Sequence, residues 1–158
     1  MKTRTIKEIE NTKRDVKFKE GRSLRLILES DKMGFSVHKT IIPKGEIGHW
    51  HYKHHLEACY CIKGSGLLTN LSTNEIYNIN VDTIYMLDDN DNHTFEALED
   101  VILISIFNPP VKGTEIHKED GSYDKPTDLS KVIVETVRNC DNDYDARERV
   151  NKLLTNKN

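Results

Sequence analysis

Between Gly45 and Glu57 the chain reads Gly45-Glu46-Ile47-Gly48-His49-Trp50-His51-Tyr52-Lys53-His54-His55-Leu56-Glu57, which holds four of its seven histidines. Imidazoles and a carboxylate at this density suit a divalent transition metal. If residues 49–51 are extended, His49 and His51 face the same way, because strand side chains alternate. Glu57 opens the next strand, so all three could converge inside a barrel. For Glu57 the functional reading is preferred, since a carboxylate starting a buried strand is costly unless something pairs with it. A glutamate at the strand's rim is the alternative. His54 and His55 are expected as exposed loop residues. Further on, Asp82, Tyr85 and His93 supply a second set of oxygen and nitrogen donors, with Asp88, Asp89 and Asp91 making the turn before His93.

Short strands would have to position these groups. Helical turns are expected over residues 5–11, then a connector or edge strand to Glu20. Leu24, Leu26 and Leu28 alternate with Arg25, Ile27 and Glu29, the period of a half-buried strand. After a turn at Asp31 to Gly34, Phe35, Val37, Lys39 and Ile41 alternate with Ser36, His38, Thr40 and Ile42, ending at Pro43-Lys44-Gly45. Residues 57–62 place Glu57, Cys59 and Cys61 on one face and Ala58, Tyr60 and Ile62 on the other. Residues 67–71 and 76–79 flank a hairpin turn at Ser72-Thr73-Asn74. Segments 83–87, 94–98 and 101–107 complete the series, which predicts an all-β sandwich or barrel. Beyond Pro110 the pattern changes, and residues 128–138 and 144–154 read as amphipathic helices. The expected division is a barrel domain over 1–127 and a helical extension over 128–158.

The chain has 158 residues, with 23 Lys+Arg against 26 Asp+Glu and a net charge of -3. That balance argues against nucleic acid, whose binding needs a concentrated basic field, and favours a small-molecule or protein partner. The longest apolar stretch, Val101 to Phe107, falls far short of the ~20 residues of a membrane helix. No apolar segment follows the polar start, which leads to the expectation of a cytoplasmic protein. Cys59, Cys61 and Cys140 are read as reduced thiols.

The order of the two ligand groups resembles the two halves of a cupin. The His51 to Glu57 spacing is longer than the usual motif, and Asp82 stands where a turn glycine is normal. Longer blocks are more specific: Asp31-Lys32-Met33-Gly34-Phe35-Ser36, the run Tyr52 to Gly64, Tyr85-Met86-Leu87-Asp88, Phe107-Asn108-Pro109-Pro110 and the run Glu115 to Tyr123. In this order, over residues 3–124, they are similar to the ectoine synthase family. The resemblance implies a cupin-type β-barrel or jelly roll with short C-terminal helices. It implies an iron-dependent lyase that cyclises N-γ-acetyl-L-2,4-diaminobutyrate to ectoine with loss of water. It carries the metal ligands onto Glu57, Tyr85 and His93, with Fe(II) as the cofactor; the donor set itself would accept several divalent ions and does not fix the metal. It carries substrate-pocket positions onto Ser23, Arg25, Thr40, Tyr52, Phe107, Glu115 and His117.

Ring closure needs a neutral α-amine to attack an acetamide carbonyl, so a Lewis acid would lower the barrier. Arg25 can hold the substrate carboxylate by a forked pair of hydrogen bonds and so fix the reactive conformation. Tyr52, Glu115 and His117 are the candidates for general acid and base, their individual roles open. The plainer readings are Tyr85 as a barrel-wall aromatic, Arg25 as a surface partner of Glu29 or Glu46, Ser23 and Thr40 as hydroxyls pairing with backbone, and Phe107 as wall. Gly21 stands where the family carries a tryptophan, and Ser105, kept as a pocket residue, where it carries a cysteine. His51 replaces a common aromatic and adds a possible ligand. The alternatives to the synthase are a related cupin acting on another small amide or amine, ring hydrolysis included, and a non-catalytic cupin binding a small polar ligand. A homodimer is expected, because such barrels leave apolar edges to cover.

Overall fold

Period-two alternation becomes strand pairing throughout the first part of the chain. The computed structural model describes residues 1–126, 129–140 and 142–155. A short helix α1 (Ile6–Ile9) precedes β1 (Asp15–Phe18), β2 (Gly21–Ile27), β3 (Ser36–Ile42), β4 (Ile47–Trp50) and β5 (Leu56–Lys63). There follow β6 (Gly66–Asn70), β7 (Ile76–Ile79), β8 (Ile84–Leu87), β9 (His93–Ala97) and β10 (Val101–Asn108). They form a six-stranded sheet in the order β1-β2-β3-β10-β5-β8 and a four-stranded sheet in the order β4-β9-β6-β7. The strand pairs are antiparallel. This is the all-β cupin-type architecture that the resemblance implied.

Apolar residues fill one end of the interior: Ile42, Cys61, Leu68, Ile79, Phe95, Ala97, Val101 and Leu103 are buried in one cluster. The other end of the same inner faces is polar, with Ser23, Arg25, His38, Glu57, His93 and Ser105 all buried. That division places the site.

The segment from Asn11 to Glu20 contains an edge strand, β1, pinned where the Arg22 guanidinium donates to both carboxylate oxygens of Asp15 at 2.7 and 2.8 Å. This fork holds the Asp15 carboxyl down at about 2. On β2 the leucines are not what faces the cavity. Leu24 is 1% exposed yet lies outside the central cluster, on a strand that α1, with its buried Ile9, packs against. Ser23 is the β2 residue in the cavity wall, and Arg25 is buried two residues further along the same face. A helix covers the outer face of this edge, so both faces are buried and the apolar one is the outer.

After β10 the chain crosses the polar end of the barrel as an irregular strap, residues 111–125. Val111, Glu115, Ser122 and Tyr123 are buried within it. Gly121 has φ +76, and a Cβ there would lie 2.8 Å from the His49 carbonyl oxygen, so only glycine lets the strap approach β4 this closely. Its own carbonyl accepts from the His51 amide at 3.1 Å.

The chain divides into two compact units, Met1–Lys125 and Pro126–Asn158. The expected boundary at 127/128, and Asp128 as the start of the first tail helix, lie outside the described residues. Within the second unit α2 (Leu129–Arg138) packs on α3 (Asp143–Thr155), and Asp145–Arg149 and Glu148–Lys152 pair at one-turn spacing along α3. Among the described residues no helix is long and apolar enough to cross a membrane.

Candidate active site

Seven strands, the loop after β4 and the strap surround an interior cavity at the polar end of the barrel. Of the residues expected from the sequence, Ser23, Thr40, Tyr52 and Glu57 line it, as do Tyr85, Ser105, Phe107 and His117. The free space left among them is about 20 Å³, room for about one water. A larger groove of about 680 Å³ lies between the sheet-edge strands β7 and β8 and reaches the buried Leu68, Ile79 and Leu87. Tyr85 borders both spaces, and His93 lies with it at the groove. Apart from His93, the expected polar side chains that line either space line the smaller one, so the chemistry is assigned there.

The expected ligands fall on two neighbouring strands of the larger sheet, β5 and β8, and on β9 of the smaller one. Glu57 on β5 is 7% exposed, and burial pushes its carboxyl up to about 7, although the Cys59 thiol and the Ser105 hydroxyl hydrogen-bond to it. The Cys59 thiol donates to Glu57 Oε1 at 3.1 Å. Tyr85 on β8 sits opposite Cys59, and burial among Cys59 and Glu57 raises its phenol well above the usual range. His93 on β9 donates from Nδ1 to the Asp91 carbonyl at 3.0 Å, leaving Nε2 buried and without a hydrogen-bond partner among the described residues. A histidine whose far nitrogen is fixed by a carbonyl presents the other as a lone pair, the usual state of a metal-bound imidazole. The residues therefore fit a divalent ion: a carboxylate without a cation, a phenol and a bare imidazole nitrogen. Among the described residues no three His, Cys, Asp or Glu side chains form a metal-holding group by themselves.

Two sequence expectations are corrected here. His49, His51 and Glu57 do not converge inside the barrel. In β4 the residues turned inward are Gly48 and Trp50, while His49 is exposed and its Nε2 meets Asn92 Oδ1 at 2.7 Å. His51 lies beyond the strand end and is half-buried. The strand is one residue out of step with the histidine spacing, and a shift of one reverses every side chain. His54 is exposed as expected, but His55 is 3% exposed and donates from Nδ1 to the Pro109 carbonyl at 2.7 Å. This bond and the Asn90 amide, which donates to the carbonyls of Tyr52 and His55 at 2.8 and 3.1 Å, hold the loop that carries Tyr52.

Tyr52 and His117 form a pair, Oη to Nε2, at 2.8 Å. Burial raises the Tyr52 phenol well above its ordinary range, and burial with the nearby Arg25 charge lowers His117 to about 4. Both are neutral at pH 7 and joined by one hydrogen bond. Tyr123 stacks on His117 with ring centroids 4.7 Å apart, and burial pushes its phenol up to about 12.

Arg25 and Glu115 stand one layer behind the cavity wall. Arg25, 1% exposed, donates from Nη2 to the Glu115 carbonyl at 2.7 Å, and its Nη1 lies 3.6 Å from Glu115 Oε2. The Glu115 carboxylate accepts from the amides of Lys112 and Gly113 at 2.6 and 2.7 Å. Sequence reasoning missed His38, Trp50, Cys59 and Tyr123 as cavity residues. His38 and Cys59 each share a strand face with residues that were chosen, two positions from Thr40 and Glu57, which was the available signal. Trp50 required the true register of β4.

The family model described as ectoine synthase matches residues 1–127 of the chain. The L-ectoine synthase of Alkalilimnicola ehrlichii is 44% identical over 125 residues, 78% of this chain and 94% of that protein. The crystal structure of ectoine synthase from P. lautus superposes with a TM-score of 0.72 at 38% identity, covering 77% of this chain and 87% of that one. The cupin domain of Schizosaccharomyces pombe Cnp3 shares the fold alone, at 14% identity and a TM-score of 0.50 over 58% of this chain and 66% of that one.

Proposed function

The chain belongs to the ectoine synthase family, and we propose that its interior cavity closes the ectoine ring on N-γ-acetyl-L-2,4-diaminobutyrate with residues Tyr52 and His117 moving the protons. It is an enzyme, a carbon–oxygen lyase. The reaction joins the α-amine to the acetamide carbon and expels the carbonyl oxygen as water, so the amine gives up two protons and the oxygen gains two. The neutral, adjacent Tyr52 and His117 can accept and return them. Arg25 supplies the positive charge toward which the substrate carboxylate is drawn, and Glu115, held by two backbone amides, positions Arg25. Thr40, Ser105 and Phe107 complete the wall, with Thr40 Oγ1 and Ser105 Oγ 3.1 Å apart. The cavity is smaller than the substrate, so the reading places entry behind displacement of the strap that carries His117 and Tyr123.

Glu57, Tyr85 and His93 would hold Fe(II) or another divalent ion, which when bound supplies a Lewis acid to the acetamide oxygen. The observations that support this reading are a buried Glu57 carboxyl that pairs with no cation among the described residues and a buried His93 Nε2 that has no hydrogen-bond partner among them. Exposed Ile84 and Met86 on the sheet-edge strand β8 support a homodimer, and the free cysteines suit the reducing cytoplasm.

The test is anaerobic turnover of N-γ-acetyl-L-2,4-diaminobutyrate with Fe(II) added, following ectoine by chromatography, with Glu57→Ala and His93→Ala as controls. Metal-dependent product lost in both variants supports the reading. A folded, iron-loaded protein that forms none refutes it and turns the search to other small amides.

A further inference from the structure

One group of side chains in the barrel has more hydrogen-bond donors than acceptors. Among the described residues Ser23 Oγ, Arg25 Nε, Arg25 Nη1 and His38 Nε2 are buried without a hydrogen-bond partner, Arg25 Nη1 having only the Glu115 carboxylate at 3.6 Å, beyond hydrogen-bond distance. They come from adjoining strands, with Arg25 opposite His38 and Ser23 opposite Thr40 in the β2–β3 register. Ser23 and His38 line the cavity, and Arg25 is close enough to His38 to act on it electrostatically. The Thr40 hydroxyl is already engaged with Ser105.

Ser23 and Arg25 present donors, and His38 Nε2 is a donor in one of its two tautomers. Buried donors are normally satisfied, so this set lacks an acceptor able to take several bonds at once. A carboxylate, with two oxygens and about four lone-pair sites, is such an acceptor. Burial and the Arg25 charge hold His38 neutral, down to about 3, so it contributes an N–H and not a second cation. Its ring is braced against Phe107, centroids 5.0 Å apart.

We propose that His38, with its proton on Nε2, donates to the α-carboxylate of the substrate beside Ser23 and Arg25, and so selects substrates that carry that carboxylate. The identity of the carboxylate rests on the synthase reading above; the surplus of donors does not.

Trp50 is the sole tryptophan and lines the cavity, so its fluorescence reports occupancy independently of turnover. The metal-loaded full chain is titrated with N-γ-acetyl-L-2,4-diaminobutyrate and with N-acetyl-1,3-diaminopropane, the same molecule without its carboxylate. Loss of one hydrogen bond to a charged group predicts that His38→Phe weakens the acid by about tenfold or more while the decarboxylated compound changes by less than about twofold. His38→Asn, whose amide restores an N–H donor, should recover most of the loss, and it also serves if the phenylalanine variant does not fold. Equal weakening of both compounds, undiminished affinity for the acid in His38→Phe, or failure of wild type to bind either compound would overturn the proposal. Wild type that binds with this discrimination but forms no ectoine keeps the His38 site and removes the synthase reading.

Discussion

In the metal-free protein, Glu57→Gln should stabilise the fold at pH 8 and change it little near pH 4.5. Among the described residues no cation pairs with the buried Glu57 carboxyl, and desolvation lifts it from 4.5 to about 7. The folded state therefore keeps its proton to higher pH than the unfolded chain does. Below 4.5 both states are protonated and the residue is neutral to stability. As pH rises from 4.5 to 7 the unfolded state alone gains from ionising, and above 7 the loss levels off. The gap between 4.5 and about 7 corresponds to about 3 kcal/mol, of which roughly 2–3 kcal/mol falls between pH 5 and pH 8. Glutamine has nearly the same shape and does not titrate. Urea denaturation of both chelator-treated proteins at pH 5, 6, 7 and 8 gives the difference in unfolding free energy, from which effects common to both, such as the histidines, cancel. The variant's advantage should grow with pH by that amount. A difference that stays flat across the range would refute the argument that Glu57 is held in a dry, cation-free site. With a saturating divalent ion the order should reverse, because the ion binds only the folded protein and the variant has lost a ligand.

His117, lowered to about 4 by burial and Arg25, contributes stability that is complete above its unfolded value of 6.5 and is lost as pH falls toward 4. His117→Gln should flatten that acid limb by roughly 2–3 kcal/mol, read from denaturation midpoints at pH 4.5 and 7. A Cβ at Gly21 would run into the Ile41 carbonyl oxygen, so Gly21→Ala should cost about 1–3 kcal/mol, and a variant as stable as wild type in urea would show that β2 can shift freely. Arg25→Met removes a guanidinium that is 1% exposed and bonded to the Glu115 carbonyl. Turnover should fall at least about tenfold, as expected for a charged hydrogen-bond partner, with KM raised more than kcat is lowered; unchanged kinetics would remove Arg25 from substrate positioning.

Much of this architecture was legible in local pattern. The alternation from Ser36 to Ile42, the β6–β7 hairpin around Ser72-Thr73-Asn74 and the change to helical spacing after Pro110 depend on neighbours in sequence, and the strands and helices lie where those patterns predicted. Glu57, Tyr85 and His93 could be named because the order of whole blocks resembled a family, not because their spacing demanded a metal. What the residues alone could not decide was which face of a strand is the inside. The Leu24 and Leu26 face of β2 reads as core, yet the cavity lies on the Ser23 side, because α1 supplies an apolar cover for the outer face of that strand. The His49 and His51 pair reads as inward, yet Trp50 takes the interior, because pairing with β9 sets Trp50 opposite His93. A period of two carries no information about its own phase; partner strands set it. The site's electrostatics have the same origin. Cys59, Ser105 and Thr40 come from β5, β10 and β3 and meet in one hydrogen-bonded row. The displaced values of Glu57, His38 and His117 arise from burial, and burial exists only once the two sheets and the strap have closed around them.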